Sequence, residues 1–241
     1  MTRPAPAFHS RMSRTQRVVA LLYLPVHVFL LPRLLLAVWD STLSDAELNL
    51  LVYAVGFAVL LGVELSFLRR DFDPLCEHFG RVLLEVCICY GLMLAMNLAA
   101  NAVLTLLSTL LSDGELDTFS PNNEAIMDLL DQDRGSMTAL ALFLAPMMEE
   151  IMFRGGVFGT LRPFSRPLAY GVTILLFSLY HTWGYALNDP LAWLYLLQYL
   201  PASYVLCRCY ERTDSIWGSI LLHALVNYIS LQAMQMLEKL L

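Results

Sequence analysis

The sequence predicts an all-α fold: a polytopic transmembrane helical bundle of about seven spans, with its N-terminus in the cytosol. Three observations predict it. The 241 residues are 58% hydrophobic and 15% charged, with a mean hydropathy of +0.59, whereas a soluble domain is nearer half apolar and a quarter charged. The apolar residues gather in runs at about 18–38, 49–68, 82–111, 137–161, 168–186, 190–207 and 215–237. Each approaches the roughly 20 residues a helix needs to cross hydrocarbon. The runs also lack the alternation of a membrane barrel, and the helix is then the structure that satisfies its own backbone in lipid.

The first run follows several arginines and has a full membrane length with no clear small-residue cleavage site, so it reads as a retained signal anchor. His27 sits in it between Pro25 and Pro32 and is expected to be packed and hydrogen-bonded. Glu64 and Glu85 lie near the ends of the second and third runs, where they are expected to reach the interface. Asn97 and Asn101, four apart on the third, suit interhelical hydrogen bonds. The loop 112–135 is acidic, with Asp113, Glu115, Asp117, Glu124, Asp128, Asp131 and Asp133. Pro146 and Pro201 are expected to kink the fourth and sixth runs. The chain thus divides into a tail, 1–17, N-terminal spans with the acidic loop, 18–136, and a polar-bearing core, 137–241.

Charge sets the orientation. Arg3, Arg11, Arg14, Arg17, Arg69, Arg70, Arg81, Arg162, Arg166, Arg208 and Arg212 fall on one side, against Arg33, Arg134 and Lys239 on the other. Basic residues stay in the cytosol, which puts the acidic loop outside. A net charge of −6 with a single lysine gives no basic patch for nucleic acid. Cys76, Cys87, Cys89, Cys207 and Cys209 form no zinc pattern and are expected as free thiols.

The core carries ionisable residues at depths where each is expensive and therefore marks a functional site. The first group is Glu149-Glu150 with Arg154. Glu150 and Arg154 share a helix face and can pair, whereas Glu149 points about 100° away and needs its own partner. The second is Phe177-Ser-Leu-Tyr-His181, and the third His223-Ala-Leu-Val-Asn227. Glu149 and His181 lie equally far, about 24 Å of helix, from a turn near Ser165. His223 and Asn227 reach a similar depth from a turn near Thr213. A carboxylate, two imidazoles and an amide so placed can activate water and stabilise an oxyanion. Glu149 would abstract the proton, His181 would orient the water, and His223 and Asn227 would bind the tetrahedral intermediate. The same Glu149, His181 and His223 could instead hold a divalent metal such as zinc. HExxH and G-x-S-x-G are absent from the sequence.

These residues resemble a known family. Glu149-Glu150-x-x-x-Arg154, Phe177-x-x-x-His181 and His223-x-x-x-Asn227 match the three motifs of the CAAX prenyl endopeptidase and bacteriocin-processing family, over about residues 137–232. The resemblance implies an intramembrane endopeptidase, of metallo- or glutamate type, with 137–241 as its catalytic core. It gives Glu149, His181, His223 and Asn227 the roles above, with Glu150 and Arg154 holding the site and Phe177 supporting it. It further implies membrane lipid and a membrane-anchored protein or peptide as partners, while the compact chain with its single Lys suggests a bacterial inner membrane as location. Two other classes share the buried charges. A silent scaffold or immunity protein would have no need of all four polar residues. A proton or ion transporter is opposed by the absence of repeats and paired broken helices.

Overall fold

The computed structural model describes residues 8, 10–39, 42–112 and 119–238, which are helical with short connections and no strand. Arg3, Asp113, Glu115, Asp117 and Lys239, used above for charge, lie outside the described residues. In order, the helices are α1 (Arg14–Trp39), α2 (Asp45–Glu77), α3 (Phe79–Ser112), α4 (Pro121–Gln132), α5 (Arg134–Leu161), α6 (Arg166–Ala186), α7 (Leu196–Thr213) and α8 (Ile216–Glu238). Five of these, α1, α2, α3, α5 and α8, are long and apolar enough to cross a membrane. The chain is an integral membrane protein. A 3-10 turn, Pro190–Tyr195, leads into α7.

Local sequence sets the helix starts. Ser13 with Gln16 and Ser44 with Glu47 form capping boxes, and Ser120, Asp133 and Ser165 accept hydrogen bonds from the first turn that follows them. Each cap contributes about 1 kcal/mol. Helix α4 was not expected, because the acidic loop reads as solvated. It forms because Pro121 follows the Ser120 cap and Leu130 is buried against Ala46, Met137, Leu140, Ala145 and Leu231, while Glu124, Asp128 and Asp131 face outward.

The two ends of the bundle differ. At the arginine-rich end, Arg11 donates to the Asp214 carbonyl at 2.6 Å, to its carboxylate at 2.7 Å and to Asp71 at 3.2 Å. Asp214 has φ +52°, a left-handed conformation that a residue with a Cβ rarely adopts, and Arg11 clamps it from both sides. Asp71 also accepts from the Ile216 amide, which caps α8 from another helix. Arg162, Arg166 and Tyr170 all donate to Glu211. Glycines seat the N-terminal segment on α5: a Cβ on Gly155 would stand 2.5 Å from Met12 Cε, and one on Gly159 2.9 Å from Ser10 Oγ. This end is packed shut. At the other end the Ala46 amide donates to Gln132, and Ser120 and Tyr199 share a hydrogen bond. Helices α6 and α7 run between the same two ends.

Two expectations are corrected. Glu64 and Glu85 do not reach the interface. Glu64 lies on the α2 stripe of Gly56, Leu60, Phe67 and Asp71 that faces the core, and it is fully buried. Glu85 lies on the α3 stripe with Val82, Val86 and Cys89 and is held by Arg212 at 2.9 Å. Asn101 does bond across helices, accepting from Gln198 at 3.3 Å. The five cysteines are free.

Candidate active site

A cavity of about 670 Å³ penetrates the bundle, and Glu149, Phe177, His181, His223 and Asn227 all line it. The structure brings together the residues that spacing placed at one depth. Glu149 Oε2 stands 3.8 Å from His181 Nε2 and 3.8 Å from His223 Nε2.

The tautomers follow from the partners of the other ring nitrogens. His181 Nδ1 is 2.9 Å from the Phe177 carbonyl, which only accepts, so Nδ1 carries the hydrogen. His223 Nδ1 donates at 2.8 Å to Glu150 Oε1, which also pairs with Arg154 Nη1 at 3.1 Å. With both rings neutral, the two Nε2 atoms are acceptors. They face a carboxylate oxygen, Oε2, that is buried and makes no hydrogen bond in the protein. Three acceptors converge, and the group that joins them has to be a donor or a cation.

Glu149's other oxygen has the separate partner its direction required. Tyr53 donates to Oε1 at 3.3 Å, Tyr53 and Tyr180 hydroxyls are 2.9 Å apart, and Tyr180 lies 3.2 Å from His27 Nε2. His27 is thus hydrogen-bonded as expected, and it ends a chain of hydroxyls that leads to the carboxylate. Sequence reasoning missed Tyr53 and Tyr180. The available signal for Tyr180 was its place beside His181. Tyr199, stacked on His181 with centroids 4.7 Å apart, was missed too.

Behind the imidazoles, Glu150 and Arg154 are fully buried. The Arg154 guanidinium lies 4.3 Å from the Phe177 ring centroid, and Nη2 donates to the Ser203 carbonyl at 3.4 Å. Phe177 in turn contacts both His181 and His223. The rings are held by packing as well as by hydrogen bonds.

Helix α5 departs from α-geometry here, with i→i+5 stretches at Leu140–Leu144 and Glu150–Phe158. Such bulges are frequent at functional sites. Pro146 has no N–H to offer the Ala141 carbonyl five residues back. Asn227 Nδ2 donates to that carbonyl at 2.8 Å. One amide hydrogen of Asn227 is therefore structural, and the second remains for a ligand. Asn227→Ala orphans the carbonyl and is expected to cost about 1–3 kcal/mol. Adding Pro146→Ala supplies an N–H, so in detergent the double variant should melt above the single Asn227→Ala. A double variant that melts no higher removes the capping account.

Glu149, His181 and His223 are the residues that could hold a metal, and the unpartnered Oε2 suits one. Zinc bonds of about 2.1 Å set tetrahedral ligand atoms about 3.4 Å apart, less than the 3.8 Å found here. Two hydrogen bonds of about 2.8 Å to one shared water span 3.8 Å at an angle of roughly 85°, so the gap lies between the metal and the water geometries. Among the described residues no group of three His, Cys, Asp or Glu side chains is spaced to hold a metal ion.

Residues 133–229 match the family model described as type II CAAX prenyl endopeptidase Rce1-like. The chain is similar to the UPF0177 protein YxdF of Lactococcus lactis subsp. lactis, with 30% identity over 95 residues, 39% of this chain and 48% of that protein. The match spans about half the length of that relative. No solved structure matches the chain.

Proposed function

We propose, from the match of residues 133–229 to the Rce1-like family model, that the chain is an intramembrane endopeptidase that hydrolyses a peptide bond of a membrane-associated polypeptide with water activated by Glu149. The observation that carries this reading is the triangle of Glu149 Oε2 and the two Nε2 atoms, with 3.8 Å from the carboxylate to each imidazole. A water there gives one hydrogen to Glu149 and the other to an imidazole, which aims its lone pair outward.

Attack on the carbonyl carbon forms the new C–O bond while the water proton passes to Glu149. The tetrahedral oxyanion takes a hydrogen bond from the second amide hydrogen of Asn227. The C–N bond then breaks as Glu149 returns the proton to the departing nitrogen, which leaves as an amine. His181 and His223 keep their positions throughout, because their Nδ1 hydrogens are tied to the Phe177 carbonyl and to Glu150. Were zinc bound by Glu149, His181 and His223, it would supply Lewis acidity and a more acidic water. None of the steps above depends on it.

The proposal includes seven spans, since α6 and α7 connect the same ends as the five apolar helices, with the arginine-rich end in the cytosol. It also includes a bacterial cytoplasmic membrane, in keeping with the bacterial relative. The test is purified protein in liposomes with a library of membrane-inserted peptides. Hydrolysis is expected to survive exhaustive chelation and to vanish in Glu149→Gln. Loss on chelation with recovery on zinc would replace the metal-free chemistry, and no hydrolysis in either protein would end the protease reading.

A further inference from the structure

The direction in which the catalytic cavity opens is set by its lining. Its deepest side chains are Glu149, Phe177, His223 and Leu206. From there the wall continues through Asn49 on α2, Asn101 on α3, Asn122 and Leu129 on α4, Tyr185 on α6 and Met234 on α8. Every one of these lies toward the end that holds α4. Nothing from 10–17, 64–81, 162–170 or 208–217, the segments of the arginine-rich end, lines it. That end is closed by the Arg11 clamp on Asp71 and Asp214, by the cluster on Glu211, and by Met12 and Ser10 seated on the α5 glycines.

Among described residues outside the core, Arg11, Arg14, Arg17, Arg69, Arg70, Arg81, Arg162, Arg166, Arg208 and Arg212 mark the closed end, while Arg33 and Arg134 are toward the open one. Cytosolic loops keep the basic residues, so the open end is the outer one. A cytosolic C-terminal tail would meet the closed face.

The chemistry of the wall narrows the occupant. Among the described residues, no Asp, Glu, Lys or Arg side chain other than the catalytic Glu149 lines the cavity. Besides Asn227, six primary amides do: Asn49, Asn97, Asn101, Asn122, Asn123 and Gln198. Each offers a donor and an acceptor, the pair an extended peptide backbone needs. At the mouth, Glu124, Asp128 and Asp131 on α4 are exposed and repel acidic chains.

From this we infer that the site takes its substrate from the outer face of the membrane, as an extended, uncharged stretch of a membrane-anchored or exported polypeptide whose backbone is gripped by the amide wall. The substrate class rests on the hydrolase reading, whereas the face of entry does not.

The experiment separates the two. In a chain whose native cysteines are replaced, Asn123→Cys reports the cavity, Asp128→Cys its exposed rim and Phe164→Cys the closed end. Intact cells or spheroplasts are treated with a membrane-impermeant maleimide. Asn123→Cys and Asp128→Cys are expected to label as fully as after permeabilisation, and Phe164→Cys only after it. The reverse pattern would overturn the outer entry, and the rim position reports the face if the cavity variant fails to fold. In parallel, peptides released by cells carrying the chain or its Glu149→Gln variant are sequenced. Fragments lost in the variant should come from outward segments, with few Asp or Glu beside the cut. Fragments from cytosolic segments would overturn the substrate class. Identical peptide sets would overturn the hydrolase reading and the substrate class with it, while the labelling still decides the face.

Discussion

Glu149→Gln is expected to lower the turnover of peptide hydrolysis by at least about 100- to 10,000-fold, the usual contribution of a positioned general base, while leaving the protein as stable as before or more so. The loss follows from chemistry: an amide cannot take the proton of the attacking water. The stability expectation follows from the donor count. In the native site the buried Glu149 Oε2 faces the lone pairs of His181 Nε2 and His223 Nε2, with no protein donor between them. A Gln carbonyl keeps the hydrogen bond from Tyr53, and its NH₂ turns toward the two imidazole acceptors. The variant therefore satisfies what the native protein leaves to water, a trade of stability for activity common at catalytic sites. The measurements are turnover and melting temperature in the same detergent. A variant with no turnover and a clearly lower melting temperature would show that the imidazoles present N–H groups, not lone pairs, and the tautomers assigned to them would be wrong.

How much of this was legible beforehand can be traced residue by residue. Glu149 and His181 met because equal distance from one turn means equal depth in an antiparallel pair, and that holds even though α5 is wound partly as a π-helix. Glu150 and Arg154 met because a four-residue spacing survives local rewinding. Tyr53 was not legible. A tyrosine inside an apolar run looks like any other aromatic residue, and its hydroxyl finds Glu149 through a contact spanning 96 residues of sequence. The N-terminal spans, which read as little more than hydrophobic, thus complete the site. Glu85 was misjudged for a related reason: its partner Arg212 is 127 residues away, and only tertiary structure turns a carboxylate near a span end into one arm of a latch. The role of Asn227 was legible in part. Its spacing from His223 is helical, but its duty to the Ala141 carbonyl depends on Pro146 in another helix.

Arg154→Ala is the variant expected to damage the fold most. The guanidinium and the Glu150 carboxylate are fully buried, and breaking such a pair from one side costs about 3–5 kcal/mol because the remaining charge has no water to turn to. The loss spreads further, since Arg154 also covers Phe177, against which both catalytic imidazoles pack. Arg154→Lys should be intermediate: an ammonium keeps the charge but cannot reach Glu150, Ser203 and the Phe177 face together. The informative double variant is Arg154→Met with Glu150→Gln. It removes both charges, keeps an acceptor for His223 Nδ1 and fills the volume, so its melting temperature should return most of the way to that of the native protein. Hydrolysis then separates two roles. Activity that returns with stability makes the ion pair a scaffold. Activity that stays low in a well-folded double variant means that the ionised Glu150 works through His223, as a positioning group for the ring that faces the reacting water. Equal stability of Arg154→Ala and the native protein would mean that Glu150 is not left charged in the core, and the buried ion pair would have to be abandoned.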